Sequence, residues 1–214
     1  MDAVDSKTSR GAANSIDAAA ELTQFLERRR AEPANRTTID AAIDTRFGRT
    51  QAVMFTDLVG FSRTVEAFGI LHFLQLIQEA ETLFLPLITQ YGGRCIKREG
   101  DSLLALFEVP AQALACALAM NQATHKVNPG RSPEERIEVC IGLGFGRLLC
   151  IGETDAWGAE LNAASKLGEE MAKGGEVLAT HLFFEAVGNV DPLIHFVEHG
   201  KVFGERKAYR WVGG

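Results

Sequence analysis

The chain has 214 residues, of which 46% are hydrophobic, 23% charged and 8% aromatic. That composition excludes a disordered chain, a collagen and a coiled-coil rod, and the length suits one domain of about 150–200 residues plus an extension. Twenty-two basic residues against 28 acidic ones leave a formal charge of −6, a poor match to the basic face that broad nucleic-acid binding requires.

Residues 1–15, small and polar, read as an unstructured tail. Ser15 then suits the N-cap of a helix with Ile16, Ala19, Leu22 and Phe25 or Leu26 at helical spacing. Arg28, Arg29 and Arg30 fall in its last turn, where cations meet the negative end of the helix dipole. Pro33 and the polar run to Gly48 read as a linker. The predicted organisation is thus a tail over 1–15, a helix and linker over 16–49, and one domain over 50–214.

That domain opens with QAVMFTDL, a short buried strand, and a Val59-Gly60 turn into a helix. Phe73, Leu76, Ile77, Ala80, Phe84 and Leu87 mark an amphipathic helix over 70–90, ended by Tyr91-Gly92-Gly93. RCIKREGDSLLALFEV reads as two strands joined by a tight turn at Glu99-Gly100-Asp101, and residues 110–126 as an Ala/Leu-rich helix. IEVCIGLGFGRLLCIG is expected to be a second hairpin, followed by a helix from Gly158 to Lys173 and a final strand pair over 194–212. The core order is βαββαβ, which predicts an α+β fold of ferredoxin-like type: an antiparallel sheet backed by helices.

Several chemistries find no support. Cys95, Cys116, Cys140 and Cys150 form no CxxC pair and read as reduced thiols of a cytoplasmic protein. No leader peptide and no membrane-length apolar run stands in the sequence. There is no GxxxxGK phosphate loop, and the glycines of GLGFGRL do not open a helix. The five histidines make no ligand-spaced set beyond a weak His195/His199 pair.

Two carboxylates carry the chemistry. Asp57 follows a buried strand and Asp101 sits in the turn of the next hairpin. In a βαββ unit those strands lie side by side, so both side chains can reach one sheet edge. With the carbonyl of Leu58 they make a hard oxygen site suited to Mg²⁺ or Mn²⁺. Two such ions about 3.5–4 Å apart can activate a hydroxyl and clamp a triphosphate. The amides of Leu58, Val59, Gly60 and Phe61 offer an anion cradle at a helix start. Further along, Asn162 and Lys166 stand four apart on one helix face, with Asp155 a few residues ahead. Taken singly, each of these is equally a cap, a turn residue or a solvated helix face.

Together, FTDLVGFS, KREGDSLLALF and DAWGAELNAASKL, in that order, resemble the catalytic domain of class III nucleotidyl cyclases over about residues 50–212. The resemblance implies that Asp57 and Asp101 hold two Mg²⁺ or Mn²⁺ ions per site. It implies that Lys97 and Asp155 read adenine, and that Asn162 orients the ribose and supports the transition state. A lysine donating to N1 and a carboxylate accepting from the amino group suit adenine, whereas guanine presents the opposite pattern. Lys166 departs from the family, which normally has an arginine there for the α-phosphate; lysine keeps the charge and loses the planar fork. Lys201 is the nearest basic candidate for the triphosphate, and equally a strand-end lysine.

The implied enzyme is an adenylate cyclase that converts ATP to cyclic AMP and pyrophosphate. It works as a head-to-tail homodimer in which each site takes its metal aspartates from one chain and the remaining groups from the other. An upstream regulatory protein and a regulatory N-terminal helix fit this reading. The alternative is a weak or inactive relative acting as a nucleotide-binding regulatory dimer, and Lys166 is its support.

Overall fold

Ile39, Ile43 and Phe47 recur at every fourth position and are all buried, because they lie on one face of a helix. The computed structural model describes residues 3–188 and 195–213. Its chain divides into two compact units: Met1–Thr50 with Arg147–Ala159, and Gln51–Gly146 with Glu160–Gly214.

The first unit begins with helices α1 (Ala3–Ala31) and α2 (Arg36–Phe47). Two expectations are corrected here. The helix does not start at Ser15: residues 3–15 continue it, a stretch free of proline in which Ala3, Ala12 and Ala13 favour helix. The linker is largely α2, which Pro33 separates from α1 through one short 3₁₀ turn. Ala18, Ile39, Ile43, Phe47 and Ile151 form a small core, joined by Leu22, Phe25 and Leu149. Ion pairs Arg46–Glu21 at 2.8 Å and Arg29–Asp40 tie α1 to α2.

The second unit is built on a sheet that draws on β1 (Gly48–Leu58), β2 (Arg94–Glu99), β3 (Ser102–Phe107) and β4 (Val139–Ile151). To these it adds β6 (Val177–Thr180), β7 (His195–Phe203) and β8 (Arg206–Gly213). The strand order is β2-β3-β1-β4-β6-β8-β7, and β5 (Asp155–Trp157) pairs antiparallel with the end of β4 in the first unit. Its first four strands stand in the ferredoxin-like arrangement. β1 pairs antiparallel with β3, from Ala52 opposite Phe107 to Thr56 opposite Leu103. One edge departs from the all-antiparallel expectation, since β6 runs parallel to β4; α6 (Ala159–Lys166) lies between those strands in the chain and returns it to the same end of the sheet. Ala52, Val53 and Met54 are fully enclosed.

Helices α4 (Ile70–Gln90), α5 (Pro110–Val127) and α7 (His181–Gly188) contribute buried side chains to the main core. In α4, Phe73, Leu76, Ala80, Phe84 and Ile88 make its buried stripe. The shorter α3 (Phe61–Phe68) precedes it, separated by Gly69 at φ +83°.

The segment read as a second hairpin is one strand, β4, thirteen residues long. Its glycines have a packing cause. A Cβ on Gly142 would lie 2.0 Å from the Ala164 carbonyl oxygen, and one on Gly144 would lie 2.6 Å from that of Glu160. Bare backbone at those alternate positions lets α6 lie directly on the strand. The helix expected to reach Lys173 changes after Lys166 into a single π turn, Leu167–Met171. That turn brings Gly168 against Phe55 of β1 and the Gly142 amide.

Candidate active site

Asp57 is the penultimate residue of β1, and Asp101 follows Gly100 (φ +60°) in the turn between β2 and β3. The β1–β3 register brings Asp57 alongside Ser102, whose hydroxyl donates to Asp57 Oδ1 at 3.0 Å. One step further in, the Leu103 amide donates to Thr56 Oγ1 at 3.3 Å. Both carboxylates are half-buried. Burial pushes the Asp57 carboxyl up to about 6, with the charge of Asp101 next and that of Glu169 adding to it, while the Ser102 hydroxyl works the other way. Burial also raises Asp101.

Two half-buried carboxylates, with the charge of Asp101 raising Asp57, would be stabilised by a cation. Their donors are hard oxygens, which fit Mg²⁺ or Mn²⁺. No group of three His, Cys, Asp or Glu side chains able to hold a metal exists among the described residues. Two carboxylates alone could form only part of a coordination shell, so a cation held there would need further oxygen ligands.

The expected anion cradle after β1 is only partly available. The Val59 amide donates to the Glu138 carbonyl at 3.0 Å, so Val59 is withdrawn from it. Nothing in the local sequence signals that partner, 79 positions away. Leu58 ends β1 with a buried side chain, Gly60 takes a left-handed conformation (φ 95°) at the start of α3, and Phe61 is the first residue of that helix. Val59 and Gly60 also border a cavity of about 440 Å³ whose lining carries Glu134, Arg136 and Glu138.

Lys97 lies on β2 opposite Leu104, next to a register shift after Cys95, and is half-buried. Asn162 is exposed on α6 and Lys166 follows one turn later. The Lys166 ammonium stands 3.5 Å from Glu170 Oε2 and 4.8 Å from the centre of the Phe203 ring. Lys201 is exposed on β7, opposite Lys207, and pairs with Glu205. Asp155 belongs to the first unit. Its Oδ1 accepts from the Ala156 amide at 2.8 Å and its Oδ2 from the Trp157 indole at 3.0 Å. The structure thus brings Asp57 and Asp101 together and sets Asn162 and Lys166 on one helix. It leaves Asp155 and Lys97 in separate units.

One supporting residue escaped the sequence reading. Glu160, in the first turn of α6, is buried; Thr180 Oγ1 donates to its Oε2 at 2.6 Å and Arg206 pairs with its Oε1. This paired buried charge anchors the start of the helix that carries Asn162 and Lys166.

Residues 47–207 match the family described as the adenylate and guanylate cyclase catalytic domain. Over 152 residues the chain is 30% identical to an adenylate cyclase of Streptomyces coelicolor, covering 69% of this chain and 38% of that one. A crystal structure of an adenylate/guanylate cyclase/hydrolase from Silicibacter pomeroyi superimposes with a TM-score of 0.66 at 26% identity, over 78% of this chain and 98% of that one. The adenylyl cyclase CyaB from P. aeruginosa shares the fold, with a TM-score of 0.64 at 19% identity, over 78% and 96%.

With a sheet of this order and an aspartate pair at its edge, the chain belongs to the adenylate and guanylate cyclase catalytic domain family. It spans between 15% and 38% of the length of the curated relatives it matches. No helix among the described residues is long and apolar enough to cross a membrane.

Proposed function

We propose that the chain is the catalytic portion of a cytoplasmic adenylate cyclase that converts ATP to 3′,5′-cyclic AMP and pyrophosphate. The observation that carries this reading is the facing pair Asp57 and Asp101, two half-buried carboxylates whose repulsion a divalent cation relieves. They would hold Mg²⁺ or Mn²⁺, two ions per site, and the metal supplies Lewis-acid charge to the attacking hydroxyl and the phosphates. In the reaction the ribose 3′-oxygen bonds to the α-phosphorus, the bond from that phosphorus to the bridging oxygen breaks, and pyrophosphate leaves. The hydroxyl proton passes to solvent.

The chain's own residues bind and orient. Lys97 donates to adenine N1 and Asp155 accepts from the amino group, which selects adenine over guanine. The Asn162 amide orients the ribose, the Lys166 ammonium donates to the α-phosphate oxygens, and Lys201 meets the triphosphate. Two chains associate head to tail, one lending Asp57 and Asp101 and the other Lys97, Asp155, Asn162 and Lys166. An upstream partner protein acting on that association fits this arrangement.

One observation favours a second reading. Lys166 lies beside Glu170 and over Phe203, two neighbours that draw on its charge. A lysine so engaged suits a regulatory relative that binds nucleotide without turning it over. Cyclic nucleotide production from ATP and GTP, with Mn²⁺ or Mg²⁺, separates the two. Cyclic AMP from the wild type, abolished by Asp57→Ala, supports the enzyme. Silence from the wild type and from Lys166→Arg, with ATP bound to a dimer, supports the regulator.

A further inference from the structure

Within the first unit, α1, α2 and the β4–β5 hairpin enclose a cavity of about 590 Å³. That lies in the range of about 300–1,000 Å³ that holds small organic molecules. Its walls are Leu22, Leu26, Ile43, Leu149 and Trp157. Leu26 is 51% exposed and Trp157 60% exposed, an unusual placement for two large apolar side chains at one opening.

Two ion pairs join the elements around the cavity. Arg29 reaches both carboxylate oxygens of Asp40, at 2.5 and 3.0 Å, and so braces α1 against α2. Arg147 reaches both oxygens of Asp44, at 2.9 and 2.7 Å, and braces α2 against β4. These bidentate pairs have defined geometry. They also close the charge at the rim, two arginines against two aspartates, so an ionic occupant finds no counter-charge there. An apolar wall with a neutral rim matches a neutral, apolar molecule, and the exposed indole offers a flat aromatic face to stack on.

The indole also touches the residue to which the proposed function gives the adenine amino group. Its N–H donates to Asp155 Oδ2 at 3.0 Å, while its ring forms one wall of the cavity. We propose that this cavity binds a neutral, apolar small molecule with an aromatic face, and that its occupant sets the orientation of Asp155 through Trp157. The coupling half of this inference rests on the proposed role of Asp155 in reading adenine; the binding half does not.

The test uses the full chain carrying Trp211→Phe, so that Trp157 is the sole indole. The probe is the neutral dye N-phenyl-1-naphthylamine. Saturable one-to-one binding in the micromolar range, with energy transfer from Trp157, is expected. Leu26→Arg, at the exposed mouth, and Leu22→Phe, which narrows the cavity without adding an indole, should each weaken it at least tenfold while circular dichroism stays unchanged. Asp155→Asn should alter both the Trp157 emission and the dye affinity. Saturating dye should change the ratio of ATP to GTP cyclised at least twofold.

No saturable binding, or binding indifferent to both leucine variants, overturns the site. Dye affinity that falls as the chain concentration rises, in step with dimer formation by sedimentation, also overturns it, because a second copy then covers the groove. A dye-bound chain with an unchanged nucleotide ratio and unchanged response to Asp155→Asn overturns the coupling. Absence of any cyclase activity removes the proposed function and leaves the dye measurements to decide the site.

Discussion

The Ser102 hydroxyl donates to Asp57 Oδ1 across 3.0 Å, joining the start of β3 to the end of β1. That bond occupies Oδ1, and Oδ2 is the oxygen a proposed cation would meet. A hydrogen bond to a charged group contributes about 1.5–3 kcal/mol, so Ser102→Ala should raise the Mn²⁺ concentration for half-maximal activity roughly tenfold. Ser102→Thr, which keeps the hydroxyl, should restore it. Titration of the free Mn²⁺ resonance measures the same affinity without turnover. Equal metal response in all three chains removes Ser102 from this role.

Asp57 also makes a prediction about stability. Its carboxyl takes up a proton near pH 6 in the folded chain and near 3.8 in ordinary surroundings. The folded chain therefore binds more protons between those values, and stability falls as pH rises through that window and stays lowered above it. Asp57→Asn should stabilise the chain at pH 7.5 by about 1 kcal/mol, well below the full conversion of the shift, because part of the group faces water. At pH 4 the gain should largely vanish. Thermal melts at the two pH values check this, and a gain that is the same at both would contradict it.

Gly142 predicts a large penalty from the smallest possible side chain. The Cβ of Gly142→Ala would meet the Ala164 carbonyl oxygen at 2.0 Å and the Gly168 amide nitrogen at 2.6 Å, both of them backbone. Overpacking of this kind costs about 1–3 kcal/mol, and rigid backbone places it at the upper end. Urea unfolding should show a loss of about 3 kcal/mol or no folded chain. Gly188→Ala, where nothing among the described residues lies within 4 Å, is the control and should be nearly neutral.

Lys166 predicts a gain. Its ammonium is 3.5 Å from Glu170, which competes with a phosphate for the same charge. Glu170→Gln should raise the cyclisation rate a few-fold. Lys166→Arg, which adds a planar multi-donor fork, should raise it on the order of tenfold, and Lys166→Ala should lower it by a comparable factor. Rates indifferent to all three changes would take Lys166 out of the reaction.

Much of the fold was legible because its signals are local. The stripe from Phe73 through Leu76 and Ala80 to Phe84 and the Gly100 turn announce themselves in a few residues, although the sequence points to Leu87 where Ile88 is the buried one. The failures have physical causes. Three glycines in β4 look like turn formers until the helix that needs their missing side chains is in place. The run after Pro33 looks polar because only Ile39, Ile43 and Phe47 of α2 turn inward, and their four-residue spacing was the signal available. For the site, the pairing of Asp57 with Asp101 follows from strand order. The Ser102 donor, the Glu138 carbonyl that occupies the Val59 amide and the Thr180–Glu160–Arg206 anchor depend on partners brought from afar.

The absence of side chains between β4 and α6 has a mechanical meaning. Elsewhere in the core, side chains between elements can change rotamer and absorb a small shift. Where Gly142 and Gly144 meet the Ala164 and Glu160 carbonyls there is nothing to absorb it. Strand and helix are therefore expected to shift together, a joint with no bearing in it. A shift of β4 at Gly142 and Gly144 should carry the helix with Asn162 and Lys166 along with it.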